Sequence, residues 1–79
     1  MKADHLAKEA DRLRNDEIFC KALADIRSEA LDALATADAD NYTKIVCLQQ
    51  KVAVIDEIRI TLDRYIMAAD VQENTGSFA

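Results

Sequence analysis

Apolar residues recur at intervals of three or four along most of this chain, which places their side chains on one face of an α-helix. The first such stripe consists of Ala3, Leu6, Ala10 and Leu13. The second begins in a new phase and consists of Phe19, Leu23, Ile26, Ala30, Ala33 and Leu34. Asn15 and Asp16 lie at the change of phase, and both residue types cap helix N-termini with a side-chain oxygen. The pattern predicts helices over about 3–14 and 16–36, and a single bent helix is the competing prediction.

A third and longer stripe, the inner stripe, consists of Ile45, Leu48, Val52, Ile55, Ile58, Leu62, Ile66 and Ala69. It predicts a third helix over about 41–70, capped by Asp38 or Asp40. Because the connection between helices two and three is short, we expect them to be antiparallel neighbours in a long helical hairpin. Residues 72–79 are polar and contain the only Gly, so we expect a flexible tail. Phe78 either belongs to this disordered end or anchors the tail on a neighbouring subunit.

The third helix also carries a second apolar line, the outer stripe, which recurs every seven residues. The outer stripe consists of Val46, Ala53, Ile60 and Met67. At about 100° per residue it lies about 150° around the helix from the inner stripe. Isolated apolar surface residues are common, but this line favours a second packing surface, filled either by the first helix folding back or by another copy of the chain.

The size of the chain favours another copy. A domain of 79 residues has a net stability of only several kcal/mol, and small helical proteins commonly compensate by oligomerising. We therefore predict a homo-oligomeric helical bundle with the outer stripe at the interface.

The composition excludes several classes of protein. Hydrophobic residues make up 51% of the chain, which contains one Gly and no Pro. This is too apolar for a disordered chain, and strand-rich folds need the Gly and Pro that form turns. We expect an all-α fold, with a short N-terminal helix and a long antiparallel hairpin forming one domain over residues 1–71.

Charge and hydropathy limit the partners. Ten Lys and Arg against fifteen Asp and Glu give a net charge of -5, which argues against duplex nucleic acid because its phosphates are bound chiefly by Lys and Arg. The N-terminus lacks the apolar core of a signal peptide. No apolar run approaches the roughly 20 residues of a membrane span. We therefore expect a cytoplasmic protein with no membrane partner.

No residue pattern predicts catalysis. One Gly cannot form a phosphate-binding loop, and a single His without a Cys-x-x-Cys pair does not indicate a metal site. We predict no enzymatic activity, no cofactor and no metal. Cys20 and Cys47 lie in apolar helical runs, so they are expected to be reduced, buried thiols, with a disulfide between two helices as the alternative.

The third helix combines cations with aromatic rings, a combination that suits an anionic nucleotide. Arg pairs with phosphate through two parallel hydrogen bonds, and an aromatic ring stacks on a base. The candidate ligand-binding residues are Tyr42, Lys51, Arg59, Arg64 and Tyr65. Copies of the chain around a symmetry axis would assemble them into a shared pocket. The alternative is that Arg59 and Arg64 pair with Asp56, Glu57 or Asp63 on the helix surface.

Several segments between residues 13 and 70 resemble small helical-hairpin proteins encoded by tailed phages and prophages. They are Leu13-Arg14-Asn15-Asp16-Glu17-Ile18-Phe19, Ala22-Leu23, Ile26-Arg27, Glu29-Ala30, Leu48-Gln49, Lys51-Val52-Ala53-Val54 and Asp56-Glu57-Ile58. Many of those proteins have Pro where Glu17 stands here. The resemblance implies a compact, oligomeric helical protein but carries no site residue.

Such phage proteins include virion assembly parts and also anti-defence sponges, which sequester the nucleotide messengers of bacterial immunity between subunits. Our leading hypothesis from the resemblance is a sponge for a small anionic nucleotide, acting in the cytoplasm of the host cell. The alternatives are a virion structural or assembly protein, and an inhibitor of a host protein through the acidic tip. This tip consists of Asp32, Asp38 and Asp40.

Overall fold

The computed structural model describes the backbone of residues 2–77 and the side chains of residues 2–69. Within that part of the chain there are three helices and no strand, which confirms the all-helical class. The helices are α1 (Ala3–Arg14), α2 (Glu17–Thr36) and α3 (Tyr42–Ser77).

The chain breaks between α1 and α2 rather than continuing as one bent helix. Asp16 is the N-cap of α2, and its side-chain oxygen accepts a hydrogen bond from the backbone N–H of Phe19 at 2.8 Å. The Cys20 thiol donates to the carbonyl oxygen of Arg14 at 3.3 Å. These two contacts satisfy backbone groups that the break leaves without helical partners, so the corner forms without Gly or Pro.

Both ends of α3 differ from the expectation. Its N-terminus is capped by Asn41 rather than by Asp38 or Asp40, because the Asn41 side-chain oxygen accepts the backbone N–H of Lys44 at 3.3 Å. The helix continues to Ser77 instead of ending near Asp70. The chain has no Pro to stop it, and one Gly in a helix costs only about 1 kcal/mol. Phe78 lies outside the described residues.

α1 and α2 both pack on α3 and touch each other much less. Every residue of the inner stripe is buried or half-buried. The most buried side chains within residues 2–69 are Ala10, Leu23, Ala30, Ile55, Leu62 and Ala69. Since half of these are alanines, the core is thin. None of the helices, within the residues described, has an apolar stretch long enough to cross a membrane.

The molecule is a rod with extents of 59 × 24 × 18 Å and a radius of gyration of 17.3 Å. A compact domain of this length has a radius of gyration of about 12 Å. The longest extent matches α3, since 36 helical residues span about 54 Å. The fold is therefore one long helix with two shorter helices packed on it.

Candidate functional site on the outer side of α3

The outer stripe remains largely uncovered in the single chain. Val46 is half-buried, but Ala53 is exposed, and Ile60 and Met67 are 56% and 63% exposed. α1 does not cover it, because α1 packs along the inner side of α3. The residues that are buried in this half of α3, Leu62 and Ala69, belong to the inner stripe. Of the two candidate covers, the first helix folding back is therefore wrong.

An open groove of about 420 Å³ lies on the outer stripe. It is lined by Ile60, Asp63, Arg64, Met67 and Ala68. Its floor is apolar, and the charged groups of Asp63 and Arg64 stand at its rim. Such a surface suits the side chains of another helix, which would bury the floor and leave Arg64 free to pair.

The accessible surface of the chain is large for its mass. It amounts to 6071 Å², whereas a folded monomer of 8.8 kDa exposes about 4,800 Å². A stable protein–protein interface covers about 800 Å² on each partner. The accessible surface beyond that of a typical monomer is therefore larger than the area that one such interface would cover on this chain.

Two ion pairs close one edge of the layer between α3 and the other helices. Arg14 donates to Asp63 at 2.8 Å, and Arg27 donates to Asp56 at 2.9 and 3.5 Å through two nitrogens. The hydrogen bond to Asp63, together with its charge, raises the pKa of Arg14 above its ordinary value. Both carboxylates are thus occupied by other helices, and the alternative that they pair with Arg59 or Arg64 is wrong.

Arg59 and Arg64 form no ion pair with any side chain of residues 2–69. Arg59 is half-buried and lines an open groove of about 280 Å³ beside Arg27 and Ser28. Arg64 is exposed at the outer stripe. At 100° per residue the two guanidinium groups leave α3 in directions about 140° apart. One ligand would contact both only if two chains contributed to the site.

The five predicted ligand-binding residues do not meet within one chain. Tyr42 and Tyr65 are both exposed, and they are 23 positions apart in the sequence, which corresponds to about 34 Å along α3. Lys51 is also exposed, between these two positions. The shared pocket predicted from the sequence therefore depends entirely on how copies of the chain assemble.

The opposite edge of the layer is apolar, and the sequence analysis missed it. Asp56 and Asp63 follow the buried Ile55 and Leu62, whereas Val54 and Thr61 precede the same two residues. Positions before and after a buried residue point to opposite edges of a helix. Val54 and Thr61 line an apolar groove of about 270 Å³ there. The available signal was the order repeated in Val54-Ile55-Asp56 and Thr61-Leu62-Asp63, where an uncharged residue precedes a buried aliphatic residue and an acid follows it.

No three His, Cys, Asp or Glu side chains among the described residues could hold a metal ion. Both cysteines are free, and Cys20 is half-buried while Cys47 is exposed, so the expectation of two buried thiols is wrong for Cys47. No protein-family model, curated protein or solved structure matches this chain.

Proposed function

We propose that this chain is a non-enzymatic binding protein that works as a homo-oligomeric helical bundle, with the outer side of α3 between copies. The observation that carries the proposal is the outer stripe, which α1 and α2 leave exposed on a chain with excess surface. Monomeric proteins rarely leave a continuous apolar surface of this kind uncovered.

The order of the ion pairs supports a long antiparallel hairpin as the subunit. Arg14 of α1 pairs with Asp63, and Arg27 of α2 pairs with Asp56. Arg14 comes before Arg27 in the chain, but its partner Asp63 comes after Asp56, the partner of Arg27. In this arrangement α1 and α2 lie end to end along one side of α3, and the other side is free for a second copy.

The energetics favour association. Burying an Ile or Met side chain contributes about 1.5–3 kcal/mol. Ile60 and Met67 alone would therefore contribute an amount comparable to the several kcal/mol of net stability of a chain this small.

Light scattering on a pair of matched variants tests the proposal. We expect the wild-type chain to have an oligomeric mass and Ile60→Asp to approach the 8.8 kDa of one chain, because a carboxylate would be buried at the interface. Ile18→Asp is the control, since Ile18 is 77% exposed but lies outside the outer stripe, and it should keep the wild-type mass. A wild-type monomer at high micromolar concentration, or an unchanged mass in Ile60→Asp, would refute the proposal.

We propose a small anionic nucleotide as the ligand of the oligomer, on a separate observation. Arg59 has no carboxylate partner within residues 2–69, and it shares a groove with Arg27 and Ser28. A guanidinium without a carboxylate partner, beside a hydroxyl, suits a phosphate group. The resemblance to phage-encoded hairpins adds the nucleotide messengers of bacterial immunity as the class to test.

Isothermal calorimetry with cyclic dinucleotides and with ADP-ribose tests this ligand. We expect one of them to bind the wild-type oligomer and to bind Arg59→Ala at least tenfold more weakly. Arg12→Ala is the control, because Arg12 pairs with Glu9 on the exposed side of α1 and should keep full affinity. Absence of binding by an oligomer of normal mass would reject the sponge and favour a structural protein that contacts only other proteins.

A further inference from the structure

The midpoint of α3 coincides with the centre of the outer stripe. α3 runs from Tyr42 to Ser77, so its middle lies between Arg59 and Ile60. An antiparallel pair of α3 helices that crosses at Ile60 therefore overlaps along the whole of both helices. No other residue of the outer stripe gives this full overlap, and overlap determines how much surface the pair buries.

The central side chains of the outer stripe, from Ala53 to Met67, have complementary sizes in this antiparallel register. In a pair that crosses at Ile60, a residue a given number of positions after Ile60 lies level with the residue the same number of positions before Ile60 in the other copy. Ile60 therefore meets Ile60, and Met67 meets Ala53 of the other copy. A long side chain opposite a small one fills the space between two helices without a cavity. The strict seven-residue repeat keeps the stripe in contact if the helices coil around each other.

The charges on one side of the stripe are complementary as well. Glu57 and Arg64 flank Ile60, and both are exposed. Within residues 2–69 neither forms an ion pair. In the antiparallel register Arg64 lies within one residue of the level of the other copy's Glu57, on the same side of the stripe. The two-fold axis makes this contact twice.

A parallel pair has neither property. It brings equal residues to the same level, so Ala53 would face Ala53 across a gap, and it places Arg64 and the other copy's Glu57 on opposite sides of the stripe. The cavity forfeits packing energy, and the contact between Glu57 and Arg64 is lost.

We infer that two copies of this chain pair through their outer stripes in an antiparallel arrangement, with Ile60 on the two-fold axis and Arg64 paired with Glu57 across it. The inference rests on the proposed self-association and specifies its geometry. It also removes Arg64 from the set of ligand-binding residues, because its charge is neutralised at the interface. A phosphate site then depends on Arg59, which lies toward the edge that Arg27 and Asp56 close.

Disulfide cross-linking between single-cysteine chains tests the geometry. In a Cys20→Ser, Cys47→Ser background, Ala53→Cys and Met67→Cys chains are oxidised separately and as an equal mixture, and the products are weighed by mass spectrometry. We expect a cross-link only in the mixture, and only between unlike chains, because the two copies of position 53 would lie about 21 Å apart along the helix. A disulfide requires Cα atoms less than about 7 Å apart.

The other outcomes separate the geometry from the self-association. Links between identical chains would overturn the antiparallel arrangement while leaving self-association intact. No link in a mixture whose mass by light scattering is oligomeric would place the interface elsewhere and overturn the inference. A monomeric mass of the cysteine-free background would refute the proposed function itself.

A charge exchange provides an independent test that needs no cysteine. Glu57→Arg and Arg64→Glu should each raise the dissociation constant measured by sedimentation about tenfold at low salt, because each change affects two symmetric contacts. The double variant should restore the wild-type value. Lys21→Glu is the control, since Lys21 pairs with Asp25 on the exposed side of α2. Additive losses in the double variant would overturn the inference.

Discussion

The inner and outer sides of α3 are both apolar, but only the inner side finds its partners within the chain. The inner stripe is covered along its whole length, and the acids beside it, Asp56 and Asp63, are paired with arginines of α2 and α1. The outer stripe is mostly exposed, and Glu57 and Arg64 beside it have no ionic partner among residues 2–69. We propose that the inner surface serves folding and the outer surface serves association.

The largest expected difference between the two sides is in folding stability. In an Ile60→Asp background, which isolates the single chain, Leu62→Ala should lower the free energy of unfolding by about 2–3 kcal/mol because it leaves a cavity in the core. Leu62 is only 9% exposed. Urea unfolding followed by circular dichroism measures this.

Met67→Ala in the same background is the matched control for the outer side. Met67 is 63% exposed, so its truncation should change the free energy of unfolding by less than about 0.5 kcal/mol. If the two substitutions destabilised the single chain equally, the division of α3 into a folding side and an associating side would be wrong.

A smaller effect is expected at the corner that lets α1 and α2 share the inner side. Asp16→Ala removes the oxygen that accepts the backbone N–H of Phe19 and should lower the free energy of unfolding by about 1 kcal/mol. Asp16→Asn keeps a capping oxygen and should retain most of the stability. Urea unfolding of the two variants compares them, and an equal loss in both would show that the cap is not what stabilises the corner.

Much of this fold follows from local signals that a sequence contains. The change of phase between Leu13 and Phe19 marks the break between α1 and α2, and Asp16 supplies the cap. The end of α3 has no comparable signal. Gly76 was the only breaker in the tail, and its cost of about 1 kcal/mol is too small to end a helix that is otherwise favourable.

The position of the outer stripe could be predicted from its seven-residue period in the sequence. No period in the sequence predicts the ion pairs. Arg14 and Asp63 are 49 positions apart, and Arg27 and Asp56 are 29 apart. Pattern analysis considers partners three or four positions away on the same helix. Which arginine meets which carboxylate depends on the register between helices, and that register is set by packing across the whole layer.

The smallest expected effect concerns the ion-paired edge of the inner side. Arg27 and Asp56 each remain more than a third exposed, so a double-mutant cycle with Arg27→Ala and Asp56→Ala should give a coupling free energy of about 0.2–1 kcal/mol. The coupling should decrease as salt is added, because ions screen exposed charges. A coupling well above this range would mean that the edge, rather than the buried stripe, holds α2 on α3.

The second pair on this edge, between Arg14 and Asp63, should respond to pH in a defined direction. An Arg guanidinium is charged in neutral and mildly alkaline solution even without a partner. Asp63 raises the pKa of Arg14 further, so the contribution of the pair is lost only when the solution is strongly alkaline. The difference in urea midpoint between wild type and Arg14→Gln should therefore stay constant from neutral to mildly alkaline pH. If the difference disappeared within that range, another titrating group would have to account for the stabilisation, and the pairing of Arg14 with Asp63 would not be what fixes α1 to the inner side.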